Sequence, residues 1–565
     1  MPMYERRTRQ QRQGFLLIVV LVVVAILALS VLSFASRMLV EVSAARAATR
    51  QAQSKHLVDS AMEYARVFLS QPQSEIVEAG RLWNNEEVFR DVDPMTNLVS
   101  QDQRVDFGRF SIIAPNINGQ GELEGTRYGL VDESSKININ VLPVYARLGE
   151  VILEDPLVAR NLLMALPNMT EEIADAIVDF VDSDSEEEEF GAESDYYESL
   201  TPSYGAKNGP LDSIEELLLV RGVTQELLFG RDTNRNGVVE EFEANNTSIG
   251  DTASELGWAN YLTLYSKESN LMPGGGRRIN INSNDLNQLH EDLKAALGDD
   301  WANFVLLYRL GYSRVEQVDE SIPVVAASEI LVQLFDDTEA PLESQFRSVL
   351  DLMDVTFDAF DIEGNEVIVR SPLQSKPLGN GSIPVALQSM TVFDSDTIVG
   401  RINILQAPRV IIEGLPVFRD DPELVDALIA RREIDLDDPL SSDRARTLAT
   451  FLLEEGYLSL GRKQSSEAQS DAADQLDEAE HPDEADQPND ADQPDAAERM
   501  RRLIPFVCSG GDVFRAEIVG YFEDSPAITR AEVILDTTLN GLPEILMWQD
   551  KNHLQLLHSN ETLGR

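Results

Sequence analysis

The chain has very little of the chemistry on which disulfide-bonded domains and many enzymes depend. Its 565 residues include one cysteine, Cys508, which excludes an internal disulfide framework. Histidine occurs five times, at scattered positions, which disfavours a zinc site or a histidine-based catalytic site. The sequence shows no nucleophile-base pair, phosphate-binding loop or dinucleotide fingerprint, so we do not predict an enzyme.

Basic residues are also scarce relative to acidic ones. There are 46 Lys and Arg against 98 Asp and Glu, for a formal net charge of -52. This excess argues against binding to a nucleic-acid backbone, which requires clustered cations. Residues 464–498 contain 13 acids, no Lys or Arg, and the near-repeat DEADQP and NDADQP. We predict a disordered acidic loop there, because such a composition buries too little apolar surface to offset its ordering entropy.

Charge is absent from a run of 21 residues, Phe15 to Ala35, which is long enough to cross a bilayer as a helix. The preceding leader is basic, which places it in the cytoplasm and the rest of the chain outside. Its basic residues are Arg6, Arg7, Arg9 and Arg12. A cleaved secretory signal would have a shorter apolar region and an A-x-A-like end, neither of which is seen. A plain single-span anchor and the first half of a longer helix both remain open.

Proline and glycine are absent between Arg37 and Leu69, which favours the longer helix. Apolar side chains recur at helical spacing on one face of this segment. They are Leu57, Ala61, Tyr64, Ala65 and Phe68. We therefore predict one helix from Phe15 to about Leu69, roughly 80 Å long, with half in lipid and half packed on a folded domain.

Strand patterns lie near both ends of the remaining chain and helical patterns lie between them. Alternating residues in RVDFGRFSII and in VFRAEIVGYF indicate strands, followed by RAEVILD and PEILMW. We predict an α+β fold in which an α/β domain is interrupted by a large α-helical insertion; separate β domains are the alternative. The predicted parts are a leader at 1–14, the N-terminal helix at 15–70, β parts at 100–145 and 503–550, the insertion at 146–460 and the acidic loop at 464–498.

A weak repeat occurs inside the predicted insertion. KININVL at 136–142, RRININ at 277–282 and GRINIL at 400–405 share a basic residue followed by Ile-Asn-Ile. Two of them lead to a Leu-Pro turn and a second helix, at 165–181 and 414–432. This pattern resembles a helix-hairpin-helix. The Gly-x-Gly that usually holds a nucleic-acid backbone is missing and acids flank both turns, so we favour a packing role.

Residues 232–243, DTNRNGVVEEFE, fit the twelve-residue EF-hand loop that binds Ca²⁺. Gly237 would allow the sharp turn, and the apolar Val239 would pack against the fold. The predicted ligands are Asp232, Asn234, Asn236, the Val238 carbonyl, Glu240 and Glu243. Two neutral side chains among the first three ligands predict modest affinity. The alternative is a solvated turn without metal.

A second cation site is predicted where DSDSEEEEF runs into GAESDYY. The candidate oxygen ligands are Asp182, Asp184, Glu193 and Asp195. Residues 179–198 contain ten acids and no base, so a solvated acidic loop is the favoured alternative on these residues alone.

The junction between Gly14 and Phe15, where the basic leader meets the apolar helix, resembles the class III signal of type IV pilins and pseudopilins. The resemblance implies that a prepilin peptidase cuts between these two residues and that Phe15 becomes N-methylated. Most such subunits carry Glu at the fifth mature position, where it is thought to pair with a neighbour's amino terminus. This chain has Val19 there, a departure shared with the K-type minor pseudopilin of type II secretion.

Several longer segments also resemble K-type minor pseudopilins. They are GLVDESSKININ, DFVDSD, GAESDYY, GPLDSIEELLLVRGVTQELLFG and SGGDVFRAEIVGYF. The resemblance implies a calcium-binding, pilin-like protein that caps a filament tip, anchored in the bacterial inner membrane with its bulk in the periplasm. The implied partners are other minor pseudopilins, the inner-membrane secretion platform and prepilin peptidase, with no nucleic acid. The alternatives are a membrane-anchored nucleic-acid-binding module and a calcium-binding domain unrelated to filaments.

Overall fold

The structure is a computed structural model in which part of the chain is described. The described residues are 8–94, 108–232, 235, 239, 243, 256–273, 275–312, 314, 321–330, 345–361, 363–375, 382–435, 496–522, 525–539 and 541–552. The leader up to residue 7 and residues 464–495 of the predicted acidic loop lie outside them. The last three residues of that predicted loop instead begin a helix, Ala496–Leu503.

A single helix, α1, runs from Thr8–Leu69 and starts inside the leader. Within the described part of the chain, its apolar half is the one segment long and apolar enough to cross a membrane, with a mean hydropathy of 3.5 over its best window. Residues 15–49 are all exposed. The predicted packing face is confirmed, since Leu57, Ala61, Ala65 and Phe68 are buried and Tyr64 is half-buried.

The helix packs on an antiparallel sheet formed from both ends of the chain. The strands of this sheet are β1 (Arg109–Ile117), β2 (Leu123–Tyr128), β3 (Val131–Asp132), β15 (Val513–Phe522), β16 (Ser525–Asp536) and β17 (Glu544–Asp550). Their order is β17-β16-β15-β1-β2, with β3 also beside β15. In the pairing of β1 with β15, Ile112 lies opposite Ile518. The two β segments that flank the insertion therefore form one sheet and not two separate domains.

The stretch between β3 and β15 contains most of the other elements. Among the described residues, helices α2 to α14 are Gln73–Glu78, Glu86–Phe89, Leu142–Leu148, Val158–Met164, Glu171–Val181, Ser194–Glu198, Gln225–Phe229, Leu286–Leu297, Asp299–Arg309, Ser382–Ser389, Arg409–Gly414, Pro422–Asp435 and Ala496–Leu503. Strands β4 to β14 are Ile137–Asn138, Leu262–Thr263, Lys267–Ser269, Ile279–Asn280, Val324–Val325, Thr356–Phe360, Glu366–Arg370, Met390–Thr391, Thr397–Val399, Ile402–Asn403 and Val507–Cys508. Most of these strands have two or three residues.

The weak sequence repeat corresponds to a repeated local structure. Each Ile-Asn pair is a short strand that pairs in parallel with a strand more than 100 residues later: β4 with β5, β7 with β11, and β13 with β14. In each repeat the Asn side-chain oxygen accepts a hydrogen bond from the backbone N–H two residues on, at 3.0, 2.9 and 3.1 Å. The three asparagines are Asn138, Asn280 and Asn403. These bonds favour a turn that ends the strand and leads into the following helix.

A three-stranded sheet, β8-β10-β9, lies within the stretch predicted to be helical. Strand β9 alternates buried Phe357 and Ala359 with more exposed neighbours, which is the pattern of a half-buried strand. The turn between β9 and β10 contains Gly364 at φ +85°, a conformation that glycine adopts without strain. This sheet was not predicted within the α-helical insertion, and the alternation with its glycine turn was the signal for strands.

A network of buried charges joins the sheet to Glu133, which accepts a hydrogen bond from the Thr263 hydroxyl in the insertion. The Arg515 guanidinium on β15 bonds the Glu133 carboxylate through Nε at 2.7 Å and Nη2 at 3.0 Å, and it also pairs with Glu532 on β16. Lys551 forms a second ion pair with Glu532. Glu133 is fully buried and immediately follows β3. Because removing one member would leave buried charges unpaired, this network holds the two parts together.

Candidate metal centre

The second predicted cation site is formed by the loop between helices α6 and α7. Helix α6 buries an amphipathic face, ends at Val181, and is followed by Asp182. Helix α7 starts at Ser194, whose backbone N–H is capped by the Glu193 carboxylate at 3.2 Å. The loop is tied back to α6 because the Glu188 N–H donates to Asp179 Oδ1 at 3.1 Å. The two helix ends thus bring acidic side chains together.

The structure brings three of the four predicted ligands into one cluster. One carboxylate oxygen from each of Asp182, Asp184 and Glu193 lies within 4.8 Å of the other two. Glu193 is buried, Asp182 is half-buried and Asp184 is exposed. The fourth predicted ligand, Asp195, is exposed and lies outside this cluster. It lies in the first turn of α7, with its side chain in solvent.

Several buried oxygens around the cluster have no hydrogen-bond partner. They are Asp179 Oδ2, Asp182 Oδ1, Glu193 Oε1 and Asn208 Oδ1. Buried polar atoms are nearly always satisfied, so four unsatisfied acceptors in one region require an explanation. A cation bound at the cluster would provide a partner for the oxygens of Asp182 and Glu193. The site residues therefore fit a metal ion, on an observation independent of the sequence motif.

Asp179 and Asn208 were not predicted as ligands. Asp179 lies in α6, three residues before Asp182. Because residues three apart on a helix lie on the same face, this spacing could have indicated Asp179 as a ligand. Asn208 lies in a separate loop, well after Glu193 in the sequence, and nothing in its sequence context indicates a ligand. It is held in place because its N–H donates to the Phe180 carbonyl at 3.1 Å and its side-chain amide donates to the Asp184 carbonyl at 2.6 Å.

The electrostatics of the cluster also favour a cation. Burial raises the pKa of Asp179 to about 7, and neighbouring Glu193 and Glu188 contribute. Burial likewise raises the pKa of Asp182 to about 7, with repulsion from Asp184 and Asp179 adding to it. Grouping these carboxylates without a counter-charge is unfavourable. Carboxylate and amide oxygens are the ligands that Ca²⁺ prefers.

The predicted EF-hand loop is only partly described. The first and last predicted ligands, Asp232 and Glu243, are each 1% exposed. Val239 packs against the main hydrophobic core, as predicted for an apolar residue at that position. The four predicted ligands between the ends lie outside the described residues: Asn234, Asn236, Val238 and Glu240. The carboxylates at both ends of the predicted loop are thus removed from solvent.

Arg235 connects this loop to both parts of the protein. Its guanidinium pairs with Glu215 at 2.8 Å and lies over the Phe229 ring, both in the insertion. Its backbone carbonyl accepts hydrogen bonds from Lys551 Nζ at 3.0 Å and Arg530 Nη2 at 3.3 Å. Both donors belong to the C-terminal part of the large sheet. The loop thus lies where the insertion meets that sheet.

The residues predicted to control processing and assembly lie at the start of α1. Gly14 is already helical, as is Phe15, whose side chain is 71% exposed. Val19 is 45% exposed. The side chains of Phe15 and Val19 are therefore accessible to lipid or to another chain.

The protein therefore has an apolar N-terminal helix, which is long enough to cross a membrane, joined to a body of mixed helices and strands. That body contains the oxygen-rich acidic cluster. A sequence model of the family described as "Type II secretion system (T2SS), protein K" matches residues 135–229. This match confirms, over residues 135–229, the resemblance to K-type minor pseudopilins found from the sequence. The matched segment contains the acidic cluster and ends shortly before the EF-hand-like loop.

No curated protein matches the chain. A chain in the crystal structure of the GspK-GspI-GspJ complex from the enterotoxigenic Escherichia coli type 2 secretion system aligns with 91% of this chain and 99% of its own length. The identity is 10% and the TM-score is 0.28.

Proposed function

We propose that the chain is a minor pseudopilin that caps the tip of a type II secretion filament, starts its assembly and supports protein export. The family match over residues 135–229 supports a role in this secretion system. The observation that carries the tip position is Val19 on an exposed helix, where most pilin-like subunits have Glu. A subunit above this one would find no carboxylate to pair with its amino terminus.

The exposed N-terminal helix needs an apolar environment outside the body of the protein. Residues 15–49 are exposed and mostly apolar, so they require lipid before assembly and other subunits' helices afterwards. In this proposal prepilin peptidase cuts after Gly14, Phe15 is methylated, and the helix is anchored in the inner membrane with the body in the periplasm. Other minor pseudopilins and the inner-membrane platform are the partners. The role is structural, without catalysis.

We expect Val19→Glu to leave folding intact and to change assembly. The side chain is exposed at the start of α1, so the new carboxylate touches nothing in the body of the protein. It would offer an ionic partner to the next subunit and allow growth beyond the cap. The measurements are secretion of an exported substrate and co-purification with other minor pseudopilins. The control is Val23→Glu, which adds the same charge one turn further along the helix.

Two outcomes decide this proposal. A change in secretion and co-purification with Val19→Glu but not with Val23→Glu supports the tip role. If Val19→Glu behaves like the unmodified chain in both assays, Val19 has no part in assembly and the tip position loses its basis.

Calcium is proposed as the ligand of both acidic sites. At the first site the ligands are Asp232, Asn234, Asn236, Val238, Glu240 and Glu243. At the second they are Asp182, Asp184 and Glu193, with Asp179 and Asn208 added on the evidence of their unsatisfied oxygens. Bound Ca²⁺ would supply the positive charge that these clusters lack and fix the ends of the loops. In a protein with one cysteine, metal takes the structural place that disulfides occupy elsewhere.

We expect added Ca²⁺ to raise the melting temperature of the purified full chain, and removal by chelator to reverse it. Free Ca²⁺ at one hundred times its Kd would add about 2.7 kcal/mol of stability per site. Asp182→Asn should remove the part due to the second site, and Asp232→Ala or Glu243→Gln the part due to the first. Matched controls are the exposed Asp195→Asn and Glu226→Gln, which should retain the full response. A rise that is equal in all variants would refute both sites.

The Leu-Pro turns are proposed as packing elements of helix-hairpin-helix type. In both hairpins the residue after Leu-Pro is left-handed, Asn168 at φ +57° and Val417 at φ +77°. The first turn is fixed because its Pro167 carbonyl accepts a bond from the buried Trp258 indole N–H at 2.8 Å. This carbonyl is used inside the protein, which favours packing over binding of a nucleic-acid backbone.

A further inference from the structure

A small cavity lies where the second and third repeats meet the C-terminal connection. Its volume is about 70 Å³, which suits a group of a few heavy atoms. Arg278 precedes β7, Arg401 precedes β13, and Arg347 precedes a short 3₁₀ helix; all three line the cavity with Glu268 on β6. The remaining walls are largely apolar and include Leu148, Met390, Ile398 and Ile504.

Positive charge is in excess at this cavity. Three guanidinium groups face one carboxylate, that of Glu268, which is paired with Arg401. Asp512 also acts electrostatically on Arg278 but does not line the cavity. Its carboxylate accepts a hydrogen bond from the Ser269 N–H at 2.7 Å. An excess of cations is unusual in a chain with a net charge of -52, in which carboxylates are abundant.

The hydrogen-bonding capacity of these arginines is only partly used. Arg278 Nε is buried and has no hydrogen-bond partner. Arg347 donates to the Val151 carbonyl through Nη1 at 2.7 Å. Burial lowers the pKa of Arg278 and Arg401 lowers it further, while Glu268 and Asp512 raise it; the net shift is downward, so these carboxylates compensate the cationic form only in part. A buried donor without an acceptor costs free energy that a bound acceptor would recover.

We propose that this cavity is a binding site for a small oxyanion, a carboxylate or a phosphate. The planar guanidinium fork matches the two oxygens of either group and binds them through charge-assisted hydrogen bonds. Arg278 would bind the anion within the cavity, and the exposed Arg347 would close over it from the surface. Because the lining residues come from the second and third repeats and from the C-terminal connection, a bound anion would also join these three parts.

The test uses purified full chain in detergent with chelator present, so that phosphate cannot act by removing calcium. Melting temperature is measured against increasing inorganic phosphate, and separately against acetate, at ionic strength matched with chloride. We expect a saturable rise with at least one of the two anions. Arg278→Gln should weaken the apparent affinity about tenfold or more, the loss of a charge-assisted bond. Arg277→Gln is the matched control, because the neighbouring Arg277 is outside the cavity and pairs with the exposed Asp396.

Arg347→Gln keeps the test decisive if Arg278→Gln fails to fold. Its side chain is on the surface, so the variant should fold and should also bind the anion more weakly. A response to acetate alone would identify a carboxylate as the ligand class, and a response to phosphate alone would identify a phosphate. No saturable rise with either anion, or an equal rise in Arg277→Gln, Arg347→Gln and any folded Arg278→Gln, would overturn the proposal.

Discussion

Arg515→Met is expected to destabilise the protein by about 3 to 5 kcal/mol, because it removes the cation that two buried carboxylates share. Glu133 would lose two hydrogen bonds from the guanidinium, and Glu532 would lose one of its two ion pairs and keep the one with Lys551. Burial alone would raise the pKa of Glu133, but Arg515 and Lys136 hold it below its ordinary value. The same cation, with Lys551, holds the pKa of the buried Glu532 well below the ordinary range.

The measurement is denaturant unfolding of the full chain in detergent, followed by circular dichroism. Arg502→Met is the control, because Arg502 pairs with Glu498 on the surface and its loss should cost under about 1 kcal/mol. Adding Glu133→Gln to Arg515→Met should recover part of the loss, since it removes one uncompensated charge. A loss for Arg515→Met as small as that for Arg502→Met would show that the network does not hold the sheet to the insertion.

The network also predicts the direction of acid sensitivity. Both carboxylates have a lower pKa in the folded protein than the ordinary value of 4.5. Their stabilising contribution is therefore complete above about that pH and is lost as pH falls below it, because the unfolded chain then binds more protons. Arg515→Met should reduce this dependence on pH.

Trp258→Ala is expected to cost about 3 to 5 kcal/mol, the usual loss for removing a fully buried large aromatic side chain. Trp258 has no exposed surface and belongs to the main core cluster. Its indole N–H also satisfies the Pro167 carbonyl in the first Leu-Pro turn. The variant would leave both a cavity and a buried carbonyl without its partner.

Two further variants separate these effects. Trp258→Phe should retain much of the packing and lose the hydrogen bond, at a cost of about 1 to 3 kcal/mol. Phe360→Ala removes an aromatic side chain that is 67% exposed and should change the unfolding free energy by less than about 0.5 kcal/mol. If Trp258→Ala cost no more than Phe360→Ala, the first repeat would not depend on this residue for its packing.

The sequence predicted best where one periodic signal extended over many residues. The buried face of α1 and the strands VFRAEIVGYF and RAEVILD are in this class, because burial of a continuous face sets their pattern. The Ile-Asn repeats were recognised, but their pairing was not predictable. Each is closed by a strand more than 100 residues away, and no local pattern identifies the partner.

The acidic cluster shows that single residues far apart in sequence are also difficult to assign to one site from the sequence. Asp182, Asp184 and Glu193 were found because they are close in sequence and acidic. Asp195 was included on the same ground, but helix α7 turns its side chain to solvent. Asn208 was not predicted because a neutral residue in a different loop has no sequence signal for a ligand; its unsatisfied oxygen is the observation that adds it to the proposed site.

The first residue of the mature, membrane-bound protein is the measurement that tests the central claim most directly. Mass spectrometry of the intact chain and of its N-terminal peptide gives both the cleavage site and any methyl group. The proposed pilin-like processing predicts a chain that begins at N-methylated Phe15, cut after Gly14. A mature chain that still begins at Met1 or Pro2 would contradict it, and would leave an anchored calcium-binding protein without a place in a filament.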